Sequence, residues 1–210
     1  MMWGVRGFTL VGTMSPKQQR GAQTAERLLD AALQVYAESG EQGVTVSALT
    51  KASGVSLGSL YHHFGSVDGL MRALLLRWLG RLLGELAGGV ERSRTAKGAV
   101  RTLVRAYLTF IQEHPDASRL LHSSYADRVG MAQAAQLRDA QEARLSPLTA
   151  WVRRHTESGE IAPLAAPMVE ALVMGPIVAT ARRWLSGIDD ADLDQAAHVL
   201  PERIWRSISP

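Results

Sequence analysis

Between Thr45 and Phe64 the chain gathers side chains that can bond to phosphate oxygens or to the edges of bases. Thr45, Ser47, Ser59 and Tyr61 carry hydroxyls, and Lys51, His62 and His63 carry nitrogen donors. Gly58 has no side chain and lets a backbone approach a surface closely. Ser56 can cap a helix whose N-terminus itself attracts phosphate. Other chemistry is poorly provided for. The chain lacks cysteine, which excludes disulfides, thiolate metal sites and cysteine nucleophiles. There is no P-loop, Gly-x-Ser-x-Gly elbow or His-Glu-x-x-His motif, so an enzyme is disfavoured and no cofactor is expected. His62 and His63 are adjacent and leave a helix on different sides, so no metal site is expected there.

The elements that must position these groups read as helices. Apolar residues recur at three- and four-residue steps along almost the whole chain and no run alternates at period two, which predicts an all-α fold of about nine helices. Ala25, Leu28, Leu29, Ala32 and Tyr36 share one face of a first helix ending at Gly40. Thr45 caps a short second helix that turns Val46, Leu49 and Ala52 inward. Gly54 supplies a tight turn, Val55 plugs the core, and Ser56 caps a third helix with Leu60 and Phe64 inward. Gly65 breaks it, and Ser66 caps a fourth helix, to about Leu86, that runs into the rest of the chain. Two short helices about a glycine turn have the spacing of a helix-turn-helix over 45–64, although such pairs occur in many folds.

The string Gly54-Val55-Ser56-Leu57-Gly58-Ser59-Leu60-Tyr61-His62-His63-Phe64-Gly65-Ser66, with Thr45-Val46 before it and Leu70 after, resembles the TetR family of repressors. The resemblance reaches back to Leu28-Leu29-Asp30-Ala31-Ala32 and covers about residues 21–82. Beyond that, only Ser158-Gly159-Glu160-Ile161 and Gly175-Pro176 through Arg183-Trp184-Leu185 look like the family's variable C-terminal part. It implies a sequence-specific DNA-binding regulator, in its commoner mode a repressor released from a palindromic operator by a small, largely apolar effector. A constitutive regulator without an inducer is the alternative. In the family, positions matching Ser47, Leu57, Gly58, Ser59, Tyr61, His62 and His63 face DNA. Leu57 stands where many relatives carry a polar residue, which suggests contact with a thymine methyl. Val67 stands where relatives commonly carry a phosphate-binding lysine; Lys17, Arg20 or Lys51 are candidates to compensate.

The expected organisation is a flexible leader over 1–20, a DNA-binding domain over 21–82, and a ligand-binding and dimerisation domain over 83–210. Met14 is a second plausible start. Residues 1–82 hold eight Lys or Arg against five Asp or Glu while the remainder balances, so the net charge of +3 lies N-terminal, as an anionic partner would favour. Helices are expected over about 95–113, 116–125, 131–156 with Pro147 kinking or splitting it, 167–185, and from Asp189 or Asp190 to Trp205 with a bend at Pro201. One short recognition helix reads few base pairs, so a homodimer is expected. Ala171, Gly175 and Ala179 form a small-residue stripe permitting close helix approach. With Leu193, Ala197, Leu200 and Ile204 of the last helix it would build the four-helix dimer interface that the resemblance implies; alternatively both helices pack within one monomer. Trp78, Leu103, Tyr107, Phe110, His114, Leu121, Tyr125, Trp151 and Met174 could line an effector cavity, although a solid core would use the same residues. No apolar run reaches the roughly 18 residues of a membrane span, and cytoplasm is the default compartment.

Overall fold

A computed structural model describes residues 16–187 and 191–210; the leader through Ser15 and the candidate caps Asp189 and Asp190 lie outside the described residues. Among these, ten helices and no strand are found: α1 (Pro16–Gly43), α2 (Val46–Ser53), α3 (Leu57–Phe64), α4 (Val67–Glu91), α5 (Ala96–Glu113), α6 (Pro115–Leu121), α7 (Ser124–Ala132), α8 (Ala134–Glu157), α9 (Ala166–Leu185) and α10 (Leu193–Ile208). The fold is all-α, as the periodicity predicts. No described helix is long and apolar enough to cross a membrane.

Capping chemistry sets the N-terminal boundaries. The hydroxyls of Thr45, Ser56 and Ser66 accept from the backbone N–H groups of Ala48, Ser59 and Gly69, closing the first turns of α2, α3 and α4. Gly54 ends α2 at φ +63°, in the left-handed region that glycine enters without steric cost. The first helix breaks at Gly40, at φ +67°, before a further short stretch to Gly43.

Leu28, Ala32 and Val35 of α1 join Leu49, Val55, Leu60, Leu70 and Leu74 in the core under α2, α3 and the start of α4. Leu60 is completely buried and is the apolar anchor of the eight-residue α3. Leu60→Ala is therefore expected to cost about 2–5 kcal/mol of stability, read as a shifted denaturation midpoint. A loss below about 1 kcal/mol would show that α3 is not held by this contact.

Helix α4 is 25 residues long and rises roughly 37 Å at 1.5 Å per residue. Its first turns pack on α1 and α3, and the remainder on α5 and α8. Close approach to α8 is permitted by Gly80, where an added Cβ would stand 3.1 Å from Gln141 Oε1. Gln141, buried, donates from Nε2 to the Leu76 carbonyl at 3.2 Å.

Three expectations change in detail. The helix expected over 116–125 ends at Leu121, because Ser123 caps a separate α7 by accepting from Ala126 N–H. Pro147 neither splits nor ends α8, which continues through it. The cap of α10 is Asp192, whose carboxylate accepts from the N–H groups of Asp194 and Gln195.

Two of the four residues assigned to a partner on α10 face inward. Leu193 and Ile204 are buried in the chain's own core, and Ala197 and Leu200 are half-buried against it. Helical spacing identifies residues that share a face, and here part of that face is spent on the chain's own core, while Leu200 also lines an open groove beside Thr180 of α9. Val199, 47% exposed, marks the outward side of α10. On α9 the small-residue stripe does face outward: Ala171, Gly175 and Ala179 are exposed, and a Cβ added at Gly175 would meet nothing within 4 Å.

Candidate nucleic-acid interface

With 3.6 residues per turn, α3 sorts its eight residues into faces. Leu60 and half-buried Phe64 turn inward, whereas Leu57 and Tyr61, four residues apart, are 47% and 48% exposed. Gly58 and His62 lie beside them, also exposed, and a Cβ added at Gly58 would meet nothing. Ser59 and His63 are half-buried. His63 lies by α1, where a Cβ added at Gly21 would stand 3.7 Å from its ring. The His62 and His63 rings stand edge to face at 5.2 Å. At the entry to the helix, the hydroxyls of Ser56 and Ser59 lie 3.0 Å apart.

Helix α2 adds exposed Thr45, Ser47 and Lys51. Of the ten residues singled out on these two helices, eight are exposed and the other two partly so. Val67, in place of the expected lysine, is half-buried against the core. The side chain of Lys17 lies outside the described residues; Arg20 is exposed.

Sequence reasoning missed the clamp on the turn. Arg27 of α1 donates from Nη2 to the Ser53 carbonyl at 2.7 Å, tying the end of α2 to the long helix behind it. An arginine among the polar residues of an amphipathic helix carries no local mark of that role. Arg77, about three turns into α4, pairs at 2.9 Å with both Glu26 and Asp30 of α1, fixing α4 against the same helix.

A second missed feature is the contact set of α7. Tyr125 donates from its hydroxyl to Asp68 Oδ1 at 3.2 Å, in the first turn of α4, and Arg128 pairs with Glu41 near the end of α1. Asp127 pairs at 2.8 Å with Arg182 of α9. Burial and then the Asp68 carboxylate push the Tyr125 hydroxyl up to about 12. One short helix thus touches the start of α4 and the end of α1 on one side and α9 on the other.

The nine residues expected to line an effector cavity mostly form core. Trp78, Tyr107, Phe110, Tyr125 and Trp151 are buried, and Leu103, Leu121 and Met174 pack part-buried against them. His114 is half-buried, its ring 5.1 Å from Trp78 and 4.9 Å from Phe110. The hydroxyl of Tyr107 already has a partner, His122 Nε2 at 3.0 Å.

Burial, then the charge of nearby Arg182, hold the His122 imidazole down to about 4, with Asp127 opposing. Neutral His122 can accept the Tyr107 proton, whereas the protonated ring cannot. A depressed folded-state value means the unfolded chain binds the proton first, so stability is whole above about 6.5 and declines as pH falls towards 4. The decline is at most about 3 kcal/mol. His122→Gln is expected to flatten that part of the stability profile, measured as melting temperature against pH. An unchanged profile would place the titration elsewhere.

Residues 28–74 match the family model of bacterial regulatory proteins of the tetR family. Over 199 residues the chain is 27% identical to the transcriptional activator FasR of Mycolicibacterium smegmatis, covering 94% of this chain and 87% of FasR. It is 31% identical over 123 residues to the transcriptional repressor KstR2 of Rhodococcus jostii, a match spanning 56% of each chain. The fold is that of the transcriptional regulator FadR from Bacillus subtilis, solved in complex with stearoyl-CoA, with a TM-score of 0.69 and 20% identity over 85% of this chain and 96% of that one.

Proposed function

The chain belongs to the tetR family of bacterial regulatory proteins, as a DNA-binding transcription regulator and not an enzyme, and from that premise we propose how it works. A homodimer sets two copies of α3 into successive major grooves of a palindromic operator, with α2 bracing each copy. The observation that carries this is the exposure of Leu57 and Tyr61 on a helix whose Leu60 is completely buried. Apolar surface on so short a helix has a use if Leu57 rests on a thymine methyl. Ser47, Ser59, Tyr61, His62 and His63 bond to base edges or phosphates, and Thr45, Lys51 and the N-terminus capped by Ser56 hold the backbone. Residues 21–82 form the DNA-binding part and 83–210 the part that pairs and senses, sharing α4.

Regulation is by release: a small, largely apolar effector favours a conformer whose recognition helices are wrongly spaced, and operator affinity falls. That FadR was solved with stearoyl-CoA supports an effector with an apolar chain. Helix α4 is the lever, and the contacts of Tyr125 and Arg128 give movement in the body a path to it. The packing of the expected cavity residues into the core favours a second reading, constitutive binding without an inducer. A melting-temperature survey against acyl-chain metabolites separates the two, since an effector raises the transition and a solid body leaves it unmoved.

Selection of bound duplexes from a random pool tests the function itself. It should return a palindrome with half-sites about one helical turn apart. An enriched set without two-fold symmetry would overturn the dimeric reading.

A further inference from the structure

A cleft of about 320 Å³ opens between the end of α4 and the middle of α8, lined by Glu91, Ser93, Ser146, Pro147, Trp151 and Arg154 among others. Of the cavity residues expected from sequence, it shares only Trp151. Its walls hold unspent polar capacity. Among the described residues the exposed side chains of Glu91 and Arg154 are in no hydrogen bond or ion pair, and they do not pair with each other across the cleft. The Trp151 side chain is in a residue only 8% exposed, and its indole N–H is buried without an acceptor. Native proteins seldom leave a buried donor unpaired, and the exceptions call for an explanation. Pro147, which has no N–H, leaves the Ala143 carbonyl without its helical donor on the same helix.

We infer that this cleft binds a small zwitterion of the amino-acid kind, its carboxylate on Arg154, its ammonium on Glu91 and its apolar part along Pro147 and Trp151. The volume suits that class: at about 30 Å³ per water molecule it holds roughly ten non-hydrogen atoms. The pairing of one free anion with one free cation selects against ligands of a single charge. An anion would meet Glu91 unpaired, and a cation would meet Arg154. An occupant would tie the body end of α4 to α8, at the opposite end of the helix from α3. The inference goes beyond the operator reading and concerns a different surface.

The test is titration of the full chain, without DNA, with each natural amino acid, followed by tryptophan emission and melting temperature. For a responder, the N-acetyl derivative and the amide, each lacking one charge, are compared. At least one zwitterion is expected to bind, with affinity falling at least about tenfold for either derivative and for Glu91→Gln or Arg154→Gln. Trp151→Phe, which trims the indole to a smaller ring and so the apolar wall of the cleft, should weaken binding and abolish the emission change. No response up to about 10 mM from any amino acid, or binding that ignores Glu91→Gln and Arg154→Gln alike, overturns the inference. Because no DNA is present, neither result depends on operator binding.

Discussion

Replacing Tyr61, His62 and His63 together by alanine is expected to lower operator affinity by about a hundredfold or more while the fold survives. Base-edge contacts are worth about 1–3 kcal/mol each, so three lost at the low end already give about 3 kcal/mol. The stability cost is small for two of them, because Tyr61 is 48% exposed and His62 lies on the open side of α3. His63 is half-buried beside α1, so most of any fall in melting temperature belongs to it. The Tyr61→Ala, His62→Ala double variant separates the effects: it should keep the parent melting temperature and still lose at least about tenfold in anisotropy titrations. Operator affinity within twofold of the parent in the triple variant would mean that α3 does not read DNA.

The second large effect concerns pairing. Gly175→Glu with Ala179→Glu places two carboxylates on the outward stripe of α9, where added side chains meet open space at Gly175. In a two-fold interface the same patch faces itself, so four like charges would be brought together. The variant is expected to sediment as a folded monomer and to lose operator affinity by about 10²–10⁴, the factor by which a linked second half-site exceeds a single one. A control with Ala135→Glu and Ala143→Glu, both exposed on α8, adds the same charge away from α9 and should stay dimeric. A dimer that survives the α9 substitutions would move the interface to another face.

The N-terminal helices were the most legible because their boundaries are written in local chemistry. Thr45, Ser56 and Ser66 each make the capping bond that their position predicts, and Gly54 takes the left-handed turn. Period marked Leu60 and Phe64 as the inward face of α3, whereas the outward reading of Leu57, which period alone would group with them, came from the family resemblance. Period fails where the question is what a face meets. Leu193, Ala197, Leu200 and Ile204 do form one stripe, but no feature of the stripe distinguishes a partner chain from the protein's own α5 and α9. Pro147 does not split its helix, since α8 continues through it for the loss of one backbone bond, while the real interruption at Ser123 rests on a hydroxyl cap that a run of serines disguised. Contacts such as Arg128 with Glu41 and Tyr125 with Asp68 join residues far apart in the chain, and nothing local to either partner announces them. The aromatic set from Trp78 to Trp151 was found correctly as apolar, but apolar residues build cores and cavities alike.

The most direct measurement is an NMR titration of the labelled protein with a selected operator duplex and with a scrambled duplex of equal length. The amides of residues 56–63, with Thr45, Ser47 and Lys51, should shift strongly and only with the operator, while those of α8 stay in place. Unmoved resonances across Ser56–His63 in a saturated operator complex would contradict the assignment of α3 as the reading helix.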